Sequence, residues 1–246
     1  MIFYFSATGN SCHTAKRIAD TTDGKIISIT DCLKNGTFDF TVDDGETVGF
    51  VSPVYNFGLP VTVVDFINKL SLNHCNSYVF TLVTYGGFSG GASKMMKSLL
   101  KKKGIKTDAC YSVRMPDTWT PVYDLSDKTK INERNRRADI KISGIIRKID
   151  KRSKGNFDSR RIPFGDKFYG GYEEMRRTSL LSVNDDCIGC GLCAEQCPVD
   201  AIKIRNGRPV WVKDKCAMCL GCLHRCPEFA IQRGDKTKFH GQYTHE

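Results

Sequence analysis

Eight of the twelve cysteines fall into two copies of one pattern, C-x2-C-x2-C-x3-C-P. The first copy consists of Cys187, Cys190, Cys193, Cys197 and Pro198, and the second consists of Cys216, Cys219, Cys222, Cys226 and Pro227. The copies lie 29 positions apart, and residues after the cysteines repeat as well: Cys-Pro-Val-Asp-Ala-Ile at 197–202 corresponds to Cys-Pro-Glu-Phe-Ala-Ile at 226–231. Three thiolates at this spacing can converge from one tight loop on a metal centre. Small residues between the cysteines let the backbone approach it closely.

This spacing resembles that of bacterial ferredoxins, which carry two [4Fe–4S] clusters and transfer single electrons. In that family the fourth cysteine of each run ligates the other cluster. The resemblance implies one cluster on Cys187, Cys190, Cys193 and Cys226, and another on Cys216, Cys219, Cys222 and Cys197. Zinc sites usually pair two C-x2-C hooks across a longer spacer, often with His, and disulfides need an oxidising compartment. The cysteine spacing therefore fits iron–sulfur clusters better than zinc sites or disulfides.

Length and composition allow one ordinary domain and a small one, because the chain has 246 residues, of which 40% are hydrophobic. No stretch approaches the ~20 apolar residues of a membrane span. Residues 1–6 are apolar without a basic leader, so we do not expect a targeting segment. We therefore expect a cytoplasmic protein and, because exposed low-potential clusters are labile to oxygen, an anaerobic source.

The chain is basic, with a net charge of +10. Basic residues are densest between Lys128 and Arg161. This stretch could steer a redox partner protein that has an acidic docking face, or it could be an ordinary solvated helix face. No recognition motif accompanies the charge, so we do not expect nucleic acid binding.

The first 153 residues alternate between strand and helix patterns. Strands are predicted at 2–5, 25–29, 47–52, 78–84 and 105–113, and helices at 10–20, 61–70, 92–102 and 127–151. The connection at 30–46 carries little helix signal, so we expect an irregular crossover there. Strand–helix alternation predicts a parallel sheet covered on both faces. In such sheets ligands bind beyond the carboxyl ends of the strands.

The loop after the first strand places hydroxyls, an amide and a glycine at a helix N-terminus. Its candidate ligand-binding residues are Ser6, Thr8, Gly9, Asn10 and Ser11. Free backbone N–H groups and the positive end of the helix dipole favour a phosphate there. Because the loop lacks Lys, it suits a monophosphate better than a nucleoside triphosphate. Ordinary N-capping by Ser or Asn is the alternative interpretation.

Two further loops, 52–60 and 84–91, carry aromatic residues among glycines and prolines. An aromatic side chain in such a loop can stack on a planar heterocycle, although it can equally pack into the sheet edge. The residues expected to contact a bound ring are Pro53, Val54, Tyr55, Asn56, Phe57, Gly58, Thr84, Tyr85, Gly86 and Gly87.

Together these loops resemble the flavodoxin family, since residues 6–11 match its phosphate signature [ST]-x-T-G-x-[ST]. The whole chain is similar to flavodoxin–ferredoxin fusion proteins of anaerobic bacteria. The resemblance implies an α/β fold: a doubly wound, five-stranded parallel sheet of order 2-1-3-4-5 that binds one FMN, plus a small α+β two-cluster ferredoxin-like domain. Flavodoxins are usually acidic and often stack a Trp on the flavin. This chain is basic, and Tyr55 or Phe57 would have to stack on the flavin in place of a Trp.

The implied division is a flavodoxin-like domain at 1–153, a linker at 154–182, a ferredoxin-like domain at 183–234 and a polar tail at 235–246, which we expect to be frayed. Aromatic residues in the linker, Phe157, Phe164, Phe168, Tyr169 and Tyr172, indicate that it packs against something. The segment 115–123 could cover the flavin edge, dock on the second domain or remain a surface loop. We expect His13 and His224 to be solvated.

Electron transfer between two clusters, FMN and a redox partner is the leading functional hypothesis. An enzyme is the alternative: a flavin-dependent reductase of a small organic substrate fed by its own clusters. No general acid or base constellation is visible in the sequence. A redox-sensing or docking subunit of a larger oxidoreductase is a third hypothesis. No recognisable motif identifies the electron donor, the electron acceptor, the direction of electron flow or the oligomeric state.

Overall fold

The computed structural model describes residues 1–158 and 169–245. The strands of the first part are β1 (Ile2–Tyr4), β2 (Ile26–Ser28), β3 (Asp39–Thr41), β4 (Thr47–Pro53), β5 (Ser71–Asn73), β6 (Tyr78–Tyr85), β7 (Ala109–Arg114) and β8 (Gly155–Phe157). Its helices are α1 (Asn10–Thr22), α2 (Ile29–Asn35), α3 (Val61–Lys69), α4 (Ala92–Lys102) and α5 (Lys128–Asp150). Two of the linker aromatic residues, Phe164 and Phe168, lie outside the described residues.

The main sheet is parallel throughout and runs in the order β2-β1-β4-β6-β7-β8 within the described part of the chain. The predicted order 2-1-3-4-5 is therefore confirmed for the strands at Ile2, Ile26, Thr47, Tyr78 and Ala109. A sixth strand, β8, adds to the edge and was expected to be linker. It is held there by Phe157, which stacks on Tyr111 with 5.2 Å between ring centroids and 8° between planes.

Both faces of the sheet are covered, as the alternation predicted. Along β1, Ile2 packs into the core beneath α1 and α5, whereas Phe3 packs into the core beneath α3 and α4. Successive side chains point to opposite faces of a strand, so an almost entirely apolar strand supplies both cores. Helix α5 contributes Ala138 and Ile142 to the first of these cores.

The crossover at 30–46, expected to be irregular, contains a short helix. Ser28 begins α2 by accepting a hydrogen bond from the Asp31 backbone N–H at 3.2 Å, and Gly36 ends it with a φ of +68°. The helix buries Ile29 and Cys32. With only seven residues, α2 shows too little periodicity to be recognised from sequence.

The second part of the chain is smaller and is built from short elements. Its helices are α6 (Tyr172–Met175), α7 (Leu192–Glu195), α8 (Gly221–His224) and α9 (Thr237–His240), with 3₁₀ turns at Tyr169–Gly171 and Thr178–Leu180. Its strands are β9 (Leu181–Val183), β10 (Ile202–Arg205), β11 (Arg208–Trp211) and β12 (Ile231–Arg233). Strand β9 pairs antiparallel with β12, and β10 pairs antiparallel with β11. This arrangement agrees with the expected small α+β unit.

The two parts are packed against each other. The Arg225 Nε–H donates to the Ala7 carbonyl at 2.8 Å. In the predicted linker, the Tyr169 hydroxyl donates to the Leu59 carbonyl and the Tyr172 hydroxyl donates to the Ala217 carbonyl, both at 2.6 Å. Through these two residues the linker is therefore bonded to both parts. The exact domain boundaries remain a prediction.

The expectation of a frayed tail from residue 235 onward is wrong for the described residues. Thr237 and Tyr243 are buried, and the Leu125 backbone N–H donates to the His240 carbonyl at 2.7 Å. The composition of this tail is polar, but its few apolar and hydrogen-bonding groups find partners on distant elements. Within the described residues, no helix is long and apolar enough to cross a bilayer.

Gly49 generates a stability prediction. It lies in β4 between Ile2 of β1 and Phe80 of β6. A Cβ atom at this position would lie 2.4 Å from Phe80 Cζ and 2.8 Å from Ile2 Cδ1. We expect Gly49→Ala to lower the free energy of unfolding by about 1–3 kcal/mol, because the core would be overpacked.

Urea unfolding of the Gly49→Ala variant measures this change. The matched control is Gly144→Ala in α5, where the nearest side-chain atom would be 3.8 Å from the new Cβ. That change is expected to be neutral or to stabilise by up to about 1 kcal/mol through helix propensity. Equal effects at the two sites would contradict the packing described here.

Candidate functional site

The two cysteine runs fold into loops with the same backbone conformation. Left-handed residues occur in pairs at the 29-residue offset: Gly189 and Met218 (φ +69° and +48°), Gly191 and Leu220 (+81° and +54°), and Asp200 and Phe229 (+49° and +50°). The first run uses glycine at two of these positions. The second run forces Met218 and Leu220 into a region that costs side-chain-bearing residues of order 1–2 kcal/mol each. Such strain persists only where the surroundings hold it and is typical of functional loops.

Four thiols line a cavity of about 300 Å³ between the two parts of the chain: Cys197, Cys216, Cys219 and Cys222. Three of them come from the second run and one comes from the first. Burial, with the neighbouring Cys216 and Cys197 thiols, raises the pKa of Cys219 to about 12. Crowded, buried thiols ionise near neutral pH only where a cation compensates the charge. The donor set therefore suits a positively charged metal centre.

The other four cysteines of the pattern line a small recess of about 20 Å³: Cys187, Cys190, Cys193 and Cys226. Again three come from one run and the fourth comes from the other. The linings of the two cavities thus separate the eight cysteines into the two sets that the resemblance to ferredoxins implied, while their ligation of clusters remains a prediction. Within the described residues, no three His, Cys, Asp or Glu side chains are close enough to hold a single metal ion. A four-iron cubane is larger than an ion and keeps its thiolates further apart.

Backbone N–H groups point at several of these sulfur atoms. The Ala201 N–H donates to Cys197 Sγ at 3.2 Å, and the Ala230 N–H, 29 residues on, donates to Cys226 Sγ at 3.3 Å. The Met218 N–H donates to Cys216 Sγ at 3.1 Å. Hydrogen bonds to the sulfur ligands are one of the means by which proteins set cluster potentials.

The predicted phosphate loop and its neighbours surround a small polar cavity of about 50 Å³. Its lining includes the predicted Ser6, Thr8, Asn10, Ser11, Pro53, Val54, Tyr55, Thr84, Tyr85 and Gly86. The Ser11 and Thr84 hydroxyls lie 2.8 Å apart, so the loop is tied to the end of β6. The first backbone N–H groups of α1 have no acceptor within the helix and are available to an anion.

Two residues of the predicted phosphate site have other contacts. The Asn10 side chain donates to the Pro116 carbonyl at 3.1 Å and accepts from the Tyr243 hydroxyl at 2.7 Å. A Cβ atom at Gly9, which has a φ of +97°, would lie 2.1 Å from the His245 carbonyl oxygen. Both residues therefore shape the loop through contacts that no local sequence pattern reveals.

A larger cavity of about 440 Å³ adjoins the loops that follow β4 and β6. The predicted residues that line it are Val54, Tyr55, Asn56, Phe57, Gly86 and Gly87. Gly58 is not among them. A Cβ atom at Gly58 would lie 2.2 Å from the Tyr169 ring, so this glycine makes room for the linker. A cavity of this volume, with aromatic walls and few polar groups, is typical of a small-molecule site.

The segment 115–123 also lines this cavity and contacts the second part of the chain. The Thr118 carbonyl accepts from His224 Nε2 at 2.8 Å. The Arg233 guanidinium lies over the Trp119 ring, 4.5 Å from its centroid, in a cation–π contact. His224 is thus buried, and the expectation that it is solvated is wrong. His13 is half-buried, and its Nε2 lies 2.7 Å from Asp139 Oδ1.

Tyr55 lines the large cavity and is held there by two other aromatic rings. Its ring lies 6.3 Å from that of Phe5 and 6.1 Å from that of Tyr172. Burial raises its pKa well above the ordinary value, and the nearby Cys219 thiol adds to this shift. Tyr55 therefore stands between the large cavity and the second cysteine run.

Asp117 is the carboxylate that sequence reasoning missed. It lines both the polar cavity and the large cavity and packs against Gly86, whose added Cβ would lie 2.1 Å from Asp117 Oδ2. Burial raises its pKa, opposed by the N–H groups of Trp119 and Gly87 and by Arg114. Only its place in the 115–123 loop could have drawn attention to it.

The cysteine cavity and the large cavity share part of their lining. Three consecutive residues, Met218, Cys219 and Leu220, contribute to both. The four-thiol set therefore lies directly beside the aromatic pocket. Sequence reasoning missed this juxtaposition, because the loops after β4 and β6 that line the large cavity lie far from residues 218–220 along the chain.

Comparison with known proteins places both parts in families. The flavodoxin domain family matches residues 1–141, which is more than half of the chain, and the 4Fe–4S dicluster domain family matches residues 179–227. A search of curated protein sequences finds no match.

Several solved structures resemble the chain at low identity. Rubredoxin oxygen:oxidoreductase from the anaerobe Desulfovibrio gigas aligns over 58% of this chain and 35% of its own length, with 17% identity and a TM-score of 0.36. A flavodoxin from the domain Archaea aligns over 59% and 97%, with 16% identity and a TM-score of 0.30. An azoreductase from Bacillus anthracis str. Sterne aligns over 61% and 96%, with 12% identity and a TM-score of 0.34. Likenesses this weak support no inference about activity. On the family matches, the chain belongs to the flavodoxin domain family and carries a 4Fe–4S dicluster domain after its flavodoxin domain.

Proposed function

We propose that this protein transfers electrons between two [4Fe–4S] clusters and FMN, and on to a redox partner. The observation that carries the proposal is the wall formed by residues 218–220, which lines both the four-thiol cavity and the large aromatic cavity. When bound, the clusters would supply one-electron steps, and the flavin can hold one or two electrons. Because the two sites share this wall, a cluster and the flavin would lie close together, which favours electron transfer between them.

The residues of the large cavity fit a flavin ring. Glycines 86 and 87 leave backbone groups accessible to ring heteroatoms, and Phe57 and Trp119 offer aromatic faces. The polar cavity beside it fits the phosphate, because its hydroxyls and helix N–H groups are donors. The proposed cofactor-binding residues are the candidates in the three loops at 6–11, 53–58 and 84–87, to which we add Asp117 and Trp119. Gly9 and Gly58 would act indirectly, because they make room for His245 and Tyr169.

The cysteine sets would hold the clusters in the swapped arrangement. Cys216, Cys219 and Cys222 with Cys197 would form the site beside the flavin cavity. Cys187, Cys190 and Cys193 with Cys226 would form the outer site, where Ile188 is 65% exposed. The outer site is therefore the better candidate for exchange with a partner protein.

We infer that this partner has an acidic docking face. The net charge is +10, and α5 presents long basic side chains to solvent, among them Lys130, Arg136 and Arg137. Part of this charge is compensated locally, because Lys130 pairs with Asp127, and Arg136 and Arg137 both pair with Glu133. The remaining positive field would speed encounter with an acidic protein at low ionic strength.

Cofactor content is the first test. We expect protein purified anaerobically to contain about eight irons, about eight sulfides and one FMN per chain, because the pattern supplies ligands for two cubanes. Iron and sulfide assays, with flavin fluorescence after acid release, measure these contents. Tightly bound zinc without iron, or clusters without any flavin, would contradict the proposal.

Removal of single cysteines tests the swapped ligation. We expect Cys219→Ser and Cys226→Ser each to disturb one cluster, with losses of up to about four irons, because each residue belongs to a different set. Electron paramagnetic resonance should then report the remaining cluster alone. Cys75→Ser is the matched control, since Cys75 is exposed and lies outside both sets. Damage confined to one and the same cluster in both variants would refute the assignment.

A reductase of a small organic substrate is the second candidate function, and one observation favours it. The mouth of the large cavity is formed by exposed apolar side chains, with Phe88 48% and Val122 63% exposed. Asp117 lies inside, and its carboxylate raises the pKa of Tyr123. These two groups could hold protons beside an acceptor that takes electrons from the flavin.

Reoxidation kinetics separate the two functions. An enzyme, once reduced, should be reoxidised rapidly by particular small acceptors such as quinones, and Asp117→Asn should slow that reaction about 100-fold or more, as loss of a proton donor does. Flavin content is measured on the same variant, because Asp117 lines the proposed flavin site. Slow reoxidation by every small acceptor, with fast transfer to a protein acceptor, would leave the carrier function.

A further inference from the structure

The segment 240–245, here called the strap, runs from the second cysteine loop to the phosphate loop. At one end, the Gln242 side-chain amide donates to the carbonyls of Leu223 and Cys226, each at 2.7 Å. Beside it, the Lys128 ammonium donates to the Gln242 carbonyl at 3.0 Å. The strap is thus fixed both to the cysteine run and to the start of α5.

At its other end the strap contacts the phosphate loop directly. Tyr243 is 5% exposed, and its hydroxyl oxygen lies 2.7 Å from Asn10 Oδ1 and 3.1 Å from Asn135 Oδ1 of α5. The His245 backbone N–H donates to the Thr8 carbonyl at 2.7 Å. The His245 ring also stacks on His13 of α1, with 3.9 Å between ring centroids. Two hydrogen bonds and a ring contact therefore hold three residues of the loop and its helix.

These contacts fix the turn whose N–H groups would meet the phosphate. The Asn10 amide is held from both sides, because it also donates to the Pro116 carbonyl at 3.1 Å. At Gly9, which has a φ of +97°, there is no room for a side chain against the strap. A loop already held in its binding conformation loses less conformational entropy when the ligand binds.

We propose that the strap is a positioning element of the FMN phosphate site, in which Tyr243 and the His245 backbone hold the turn at residues 8–10 ready for the phosphate. This inference rests on the proposed function, since it concerns the affinity of the same site. It predicts a difference between the affinities for FMN and riboflavin that a general loss of stability would not produce. The strap contacts the phosphate loop and does not line the large cavity, so it should act on FMN and not on riboflavin, which lacks the phosphate.

The test measures dissociation constants for FMN and riboflavin on full-length protein that retains its clusters but has been stripped of flavin. Tyr243→Phe keeps the ring and removes the hydroxyl. We expect its dissociation constant for FMN to rise about 5- to 10-fold, the worth of one buried hydrogen bond, with riboflavin unchanged within about twofold. Phe239→Ser is the control, because Phe239 lies on α9 just before the strap and is 71% exposed.

A second pair of variants tests the backbone contact. His245→Pro removes the N–H that donates to Thr8, whereas His245→Ala keeps that N–H and loses only the ring. FMN affinity should fall further in the proline variant than in the alanine variant. Iron content and thermal midpoint, measured on every variant, show whether it has folded.

Three results would overturn the inference: equal losses of FMN and riboflavin affinity, which would indicate general loosening; unchanged FMN affinity in Tyr243→Phe and His245→Pro; or equal FMN affinity in the two His245 variants. Failure of the unaltered protein to bind FMN with a stoichiometry of one would instead refute the proposed function, and the role of the strap with it. The two failures are therefore distinguishable.

Discussion

The arrangement depends on a short piece of backbone, residues 218–220, that borders two cavities at once. Met218 and Leu220 adopt left-handed conformations that are costly for their residue types. Both side chains are buried in the apolar cluster that also receives Trp119 from the first part of the chain. Packing in this cluster thus holds the strained loop, whose conformation places Cys219 in the wall of the aromatic pocket.

The second part of the chain is docked on the first, rather than tethered to it. Contacts reach it from the phosphate loop through Ala7, from the 115–123 segment through Thr118 and from the linker through Tyr172. All of these lie near the carboxyl edge of the parallel sheet, where ligands bind in this class of fold. Both parts together therefore form the proposed flavin site, and the strap adds a further link between them.

Sequence reasoning was most successful where a pattern is long or repeated. The strand–helix alternation predicted a parallel sheet covered on both faces, and the resemblance to flavodoxins implied the order of its main strands. The resemblance to ferredoxins implied the two cysteine sets, whose ligation of clusters stays a prediction. Sequence reasoning failed where an element is stabilised by distant contacts. Strand β8 depends on Tyr111, and the strap depends on Asn10 and Thr8, so neither has a local signature. Gly9 and Gly58 show the same limit: their glycine character serves packing against His245 and Tyr169, which are remote in sequence.

The most direct measurement is X-ray diffraction at the iron absorption edge from crystals grown anaerobically. The account predicts two iron clusters, one ligated by Cys197 with the three cysteines of the second run, and flavin density on the opposite side of residues 218–220. Iron bound to only one cysteine set, or a flavin bound away from that wall, would contradict it.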